Sequence, residues 1–189
     1  MVIREIIVGP VQTCCYALWA DSSSSSCLLI DPGDEAERIQ KVLEGKRIDA
    51  ILLTHGHFDH IGAVRPLMSP DTRLMIHPAD QIMLSDPEMN ASLGLMRTPV
   101  TAPAPTDLIH ERTEFSAAGL SVSVMHTPGH TQGSVCYRIG GELFTGDTLF
   151  EHGWGRTDLP GGDEHALFAS LRRLMPLIHQ MPFHPGHYT

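Results

Sequence analysis

An α+β fold, with two sheets packed face to face and helices on their outer sides, is what this sequence predicts. Three observations point there. The 189 residues fall into two halves, each reading mostly as strands followed by a helix. An apolar fraction of 42% with 19% charged residues is that of a globular chain able to bury a core as one domain. Finally, Ile48 to Thr54 is a short apolar run between turn signals, as expected of a strand covered on both faces.

Taken in order, Val2–Val8 and Tyr16–Ala20 read as strands separated by Gly9-Pro10, and Ser22–Ser26 as a surface hairpin tip before the strand Cys27–Ile30. Asp31-Pro32-Gly33 turns the chain. Asp34, with Glu37 three residues on, has the pattern of a capping box for a helix running to about Glu44 and ended by Gly45. After Ile48–Thr54 come a short helix over Ile61–Met68 and a strand over Leu74–His77. Periodicity then fails from Ser85 to Asp107, a stretch with prolines at 87, 99, 103 and 105 that reads as a flap over a site or an irregular insertion. Strands resume at Leu120–Met125, Val135–Ile139 and Glu142–Thr145. Gly153–Gly162 is a glycine-rich loop, and Asp163 caps a helix whose apolar residues Leu167, Phe168, Leu171, Leu174 and Met175 recur at helical spacing. Met181–His184 is a last short strand.

Composition excludes several classes of partner. A net charge of −9, with Lys41 and Lys46 the only lysines, argues against nucleic acid, because phosphate binding needs clustered cations. No apolar run approaches the ~20 residues of a membrane-spanning helix, and Met1-Val2-Ile3-Arg4-Glu5 does not resemble a secretory signal. The expected compartment is the cytoplasm. Cys14, Cys15, Cys27 and Cys136 form no C-x-x-C pair, so they are expected to be reduced and buried rather than to hold zinc.

Histidine stands out, with 12 in the chain and a cluster at His55-Gly56-His57-Phe58-Asp59-His60. Clustered imidazoles favour zinc, iron, copper or nickel over magnesium or calcium. After a strand, residues i and i+2 project alike, so His55 and His57 can share one ion, while Asp59 and His60 face a neighbouring position. Three later segments can complete the two sites: Thr127-Pro128-Gly129-His130-Thr131, Thr145-Gly146-Asp147 and Pro185-Gly186-His187. All share one grammar, an apolar strand, a small residue, then a ligand. A carboxylate such as Asp147 can bridge two ions ~3.5–4 Å apart. His77, His110, His126, His152, His165, His179 and His184 read as surface or satisfied core residues.

These four segments, in this order, resemble the successive metal motifs of the metallo-β-lactamase superfamily, and the resemblance covers essentially the whole chain. It implies a four-layer αββα sandwich, a single domain over residues 1–189, and a binuclear centre. Carried over, it assigns His55, His57 and His130 to the first metal, Asp59, His60 and His187 to the second, and Asp147 to the bridge. Zinc β-lactamases usually carry a cysteine where Asp147 stands and are exported, so antibiotic hydrolysis is not expected. The segment Phe150–Asp163, with Gly155-Arg156-Thr157-Asp158, is similar to short hydrolases related to glyoxalase II. Ending two residues after His187, the chain is expected to lack the helical C-terminal domain of full-length glyoxalase II.

The resemblance implies a metal-dependent hydrolase with a small-molecule substrate, a thioester such as S-lactoylglutathione. Two divalent ions, zinc with iron or manganese as alternatives, would turn a bridging water into a hydroxide nucleophile near neutral pH. Asp59 and Asp147 are the catalytic candidates. Arg156 is a candidate anchor for a substrate carboxylate, or a structural ion pair. A mononuclear iron persulfide dioxygenase using His55, His130 and Asp147, and a lactonase, are the rival activities. A non-enzymatic metal-binding protein is disfavoured by a complete set of seven ligands.

Overall fold

The structure is a computed structural model that describes residues 1–188. Its elements, in chain order, are β1 (Val2–Val8), β2 (Thr13–Trp19), β3 (Ser26–Ile30), α1 (Ala36–Leu43), β4 (Arg47–Leu52), α2 (Phe58–Ile61), α3 (Val64–Leu67) and β5 (Arg73–Ile76). A 3-10 turn over Pro78–Leu84 follows, then α4 (Ser92–Met96), β6 (Asp107–Leu108), β7 (Glu114–Ala117), β8 (Leu120–His126), β9 (Val135–Ile139), β10 (Glu142–Gly146), α5 (Glu164–Ile178) and β11 (Phe183–Pro185). Strands β1 to β6 form one six-stranded sheet in sequence order, and the second sheet runs β11-β10-β9-β8-β7. Antiparallel hairpins join β1 to β2 and β2 to β3, whereas β3, β4, β5 and β6 are parallel and need crossovers.

Alternation along the strands separates three apolar layers. In β2 the side chains of Tyr16 and Leu18 enter the space between the sheets, while Cys15, Ala17 and Trp19 face outward under α1 and α3. Leu28, Ile30, Ala50 and Leu52 meet Val122, Val124, Tyr137, Ile139 and Phe144 in the middle layer. On the far side, Leu167, Leu171 and Leu174 of α5 cover Cys136 and Leu143. The expected helix–sheet–sheet–helix sandwich is what forms. All four cysteines are free and buried. Burial pushes the Cys14 and Cys27 thiols up to about 12, and Cys136 to about 11, so all three stay protonated.

Local departures from expectation have physical reasons. The start of α1 is not a capping box: Glu35, in a left-handed conformation, occupies the N-cap without a side-chain bond, and Asp34 accepts from the Glu35 N–H instead. The helix expected over Ile61–Met68 is two short helices, because α2 begins earlier, on the metal loop, and breaks at Gly62 and Ala63. Strands β6 and β7 have no counterpart in the sequence reading; one is two residues long and the other four, too short to register a period.

Segment 85–107 is anchored rather than loose. The Asn90 amide donates to the carbonyls of Met83 and Val100, and the Asn90 carbonyl accepts from the Phe58 N–H on the metal loop. Asp163 does cap α5, its Oδ1 accepting from the Ala166 N–H at 3.0 Å. Asp163→Ala is expected to lower stability by about 1 kcal/mol. The check is the urea midpoint, with bound metal measured in parallel and expected not to change.

Candidate metal centre

Four strand ends deliver the histidine- and aspartate-bearing loops to one edge of the sandwich. Strand β4 leads into Thr54–His60, β8 into Thr127–Thr131, β10 into Asp147 and β11 into His187. Backbone bonds within and between the sheets lock these ends together: Gly186 N–H to the Gly146 carbonyl within the second sheet, and Val135 N–H to the Thr54 carbonyl and Cys14 N–H to the Gly186 carbonyl between the two, each 2.8 Å. The small residue before a ligand has a steric cause. A Cβ on Gly186 would collide with Asp147 Oδ1, and one on Gly155 would collide with the Asp147 carbonyl and crowd His130 Nδ1.

The structure brings together all seven residues singled out from the sequence, in three overlapping groups: His55 with His57 and His130, His55 with His60 and Asp147, and Asp59 with His60 and His187. In the first group His57 Nδ1 lies 2.9 Å, and His55 Nε2 3.2 Å, from His130 Nε2. The opposite edges of two of these rings fix which nitrogen carries the proton. His130 Nδ1 donates to the Arg156 carbonyl at 2.7 Å, leaving Nε2 as a lone pair. Thr54 Oγ1 donates to Asp31 Oδ2 at 2.6 Å, so its own lone pair accepts from His55 Nδ1 at 3.1 Å. Two lone pairs, His55 Nε2 and His130 Nε2, therefore converge with no proton between them.

In the second group Asp59 Oδ2 is 3.3 Å from His60 Nε2 and 3.2 Å from His187 Nε2. His187 Nδ1 donates to the Val11 carbonyl at 3.1 Å, again freeing Nε2. Asp147 stands between the groups, with Oδ1 3.4 Å from His60 Nε2 and Oδ2 3.5 Å from both His130 Nε2 and His187 Nε2.

The electrostatics differ between the two halves. Burial, followed by the neighbouring imidazoles, holds His55 well below the usual histidine range and His57 at about 3. These rings are neutral at physiological pH. Burial also pulls on His60, but the carboxylates of Asp59, Asp147 and Asp31 outweigh it and hold His60 up. Asp59 is correspondingly held well down, since His60 and His187 overcome the penalty of its burial.

Do these residues fit metal ions? Ligand atoms 2.0–2.1 Å from one tetrahedral ion lie about 3.4 Å apart, and the separations above run from 2.9 to 3.5 Å. His60 Nε2 and Asp147 Oδ1 are buried with no hydrogen-bond partner, and they face each other. A cation between them satisfies both. Nitrogen and carboxylate donors without thiolate suit zinc, iron or manganese.

Several supporting residues carried no signal in the sequence. Asp80 is buried and accepts from Gly56 N–H at 3.1 Å, Thr131 Oγ1 at 2.6 Å and Gly133 N–H at 2.7 Å. It thereby pins the His55–His57 loop to the His130 loop. Asp31 accepts from the Thr54 N–H at 2.8 Å and lies 3.0 Å from His60 Nδ1, without hydrogen-bond geometry. Thr13 donates to Asp59 Oδ2 at 2.9 Å. Arg156 does form an ion pair, with Asp158 at 2.6 Å on an exposed loop, and the residue is also among those lining the cavity over the centre. Among the described residues the other histidines stay outside the metal-competent groups. His77 stacks on His126 at 4.0 Å, and His184 bonds Glu142 at 3.0 Å.

The cavity over the centre measures about 370 Å³ and is walled by Phe150, Trp154 and Leu159 on one side and by Ala91 and Leu95 of the 85–107 segment on the other. Size and lining are those of a small-molecule site.

Comparison with known proteins agrees with this geometry. Residues 8–175 match the family model of the metallo-β-lactamase superfamily. The chain is 37% identical over 173 residues to the probable metallo-hydrolase YqgX of Bacillus subtilis, covering 89% of this chain and 81% of that protein. It is 35% identical over 198 residues to the hydroxyacylglutathione hydrolase GloC of Haemophilus influenzae, covering 99% and 91%. Among solved structures, the BLEG-1 B3 metallo-β-lactamase superposes with a TM-score of 0.92 at 36% identity, covering 100% and 92%. TTHA1623 in a di-iron-bound form gives 0.83 at 36% identity, covering 98% and 92%. With its sandwich, its strand-end histidines and these matches, the chain belongs to the metallo-β-lactamase superfamily and is a metallo-hydrolase.

Proposed function

We propose that this metallo-hydrolase is binuclear and cleaves an acyl thioester such as S-lactoylglutathione. One observation carries the reading: two sets of three donors are joined by the single carboxylate of Asp147, and His57, Asp59, His130, Asp147 and His187 among them line one cavity. His55, His57 and His130 would hold one ion, Asp59, His60 and His187 the other, and Asp147 both. When bound, the ions supply water acidified to near neutral pH and a Lewis acid for the carbonyl. Zinc is favoured by the donor set, and the di-iron form of TTHA1623 supports iron as an alternative.

The chain's own residues do the rest. Asp59 keeps Thr13 on Oδ2, leaving its second oxygen to orient the attacking water and take its proton. The leaving thiolate is a weak base, so no strong general acid is needed. Arg156 sits at the cavity wall, where its guanidinium can exchange Asp158 for a substrate carboxylate. The similarity to GloC supports a glutathione carrier.

Elemental analysis of freshly purified protein is expected to give two divalent ions per chain, with turnover of thioesters exceeding that of a lactone, a β-lactam or glutathione persulfide. One iron per chain with persulfide-dependent oxygen uptake would overturn the proposal. Asp147→Ala should lose hydrolysis and bound metal while keeping its far-ultraviolet circular dichroism; full activity in that variant without metal would refute the scheme. Asp80→Ala should weaken metal binding by about 10- to 100-fold, read by competition with a chromophoric chelator. Arg156→Ala should raise KM about two- to fivefold for thioesters that carry a carboxylate, with kcat little changed, because an exposed pair contributes at most about 1 kcal/mol.

A further inference from the structure

A second cavity adjoins the first. It measures about 520 Å³ and lies beneath the β1–β2 turn, between Phe58 and the stretch Met96–Thr101. Val11, Phe58 and Asp59 line both cavities, so a residue of the metal centre stands at the boundary between them. We infer that this second cavity is the acyl-binding lobe of the substrate site, and that it takes an unbranched alkyl arm longer and more apolar than a lactoyl group. The inference rests on the thioester reading and extends it to the substrate's acyl side.

The lining argues for that occupant. Val8, Pro10, Val11, Phe58, Met96 and Val100 give the lobe apolar walls, interrupted by Thr13, Thr98 and Thr101. Its only charged lining residues are acidic, Asp34 and Asp59, and no Lys, Arg or His lines it. An arm carrying carboxylates would be repelled there. The cavity over the metal centre also has Asp59 and Asp147 in its wall, but of the two it is the one with a side-chain cation, Arg156, and bound metal ions would offset its carboxylates, so it suits an anionic carrier thiol. A thioester has one arm on each side of its carbonyl. Placing that carbonyl at the shared boundary sends the carrier to the Arg156 side and the uncharged acyl chain to the side that has no cation.

Size and exposure point the same way. The second lobe is larger than the cavity over the metal centre, where a lactoyl group would leave it mostly vacant. Leu95 and Met96 of α4 are 51% and 41% exposed, one lining each lobe. Exposed large apolar residues around a concave site gain by being covered by an apolar ligand. The 85–107 segment is then a specificity wall, since α4 and the residues after it contribute one side of both lobes.

The test has two arms, on the metal-loaded protein. Calorimetric binding of acetate, butyrate, hexanoate and octanoate reads the lobe without turnover; hydrolysis of acetyl and hexanoyl thioesters of glutathione reads the reaction. Affinity is expected to rise with chain length, by up to about fourfold per methylene, and kcat/KM should favour the hexanoyl ester. Thr98 is exposed and lines the lobe, so Thr98→Trp should fill it and bring the hexanoate-to-acetate affinity ratio close to one. Met96→Trp is a second such variant. Binding independent of chain length in the wild type, or a ratio unchanged in both variants, overturns the acyl lobe even if thioesters are hydrolysed. Length-dependent binding without hydrolysis of either thioester sustains the lobe and sinks the thioesterase reading.

Discussion

Everything at this site depends on holding lone pairs against lone pairs in a buried place. His55 Nε2 and His130 Nε2 sit 3.2 Å apart with no proton between them, while His60 Nε2 faces two carboxylates at 3.3 and 3.4 Å. Left alone, such an arrangement is repulsive on one side and over-charged on the other. It persists because the outer edges of three of the five rings are fixed from behind. The Arg156 carbonyl, the Thr54 hydroxyl backed by Asp31, and the Val11 carbonyl each hold one imidazole by its second nitrogen. The sandwich supplies rigid strand ends on which these supports stand, and the cost of the convergent donors is met by the packing of three apolar layers.

The seven candidate ligands, which the structure brings together, were legible in the sequence because each lies next to a strong local signal. His55 to His60 follow a doubly buried strand, and His130, Asp147 and His187 each follow a glycine after a strand. The two-sheet arrangement was legible from the same strands, as was the cap on α5. What escaped lies one layer out. Asp80 bonds residues 24, 51 and 53 positions away, so nothing near it in sequence marks it as a partner of the metal loops. Asp31 belongs to an Asp-Pro-Gly triplet that has the pattern of any turn. Val11 acts through a backbone carbonyl, which no side-chain pattern can announce. The start of α1 was misread because a left-handed Glu35 satisfies no propensity rule for an N-cap.

Charge separates the two ends of the substrate site in a way that composition alone conceals. A net charge of −9 suggests a uniformly anionic molecule. The cavity over the metal centre has Arg156 in its wall beside the carboxylates of Asp59 and Asp147, whereas the adjoining lobe carries only acidic charge. On the proposed reading, the two neighbouring volumes sort the arms of one substrate by charge. The shared wall of Val11 and Phe58 keeps the two environments apart, and Val11 also holds His187 through its own carbonyl.

That support of His187 by Val11 ties the beginning of the chain to its final strand, and the donor set as a whole spans both halves. An ion held by His55, His57 and His130, or by Asp59, His60 and His187, closes a very long loop in the way a cross-link does. Closing a loop of ~100 residues restricts an unfolded chain by roughly 4–5 kcal/mol in the simplest entropy model. Loading is therefore also fastening: the ion clips one sheet to the other, and a chain whose second half has not docked offers it only the partial grip of His55 to His60.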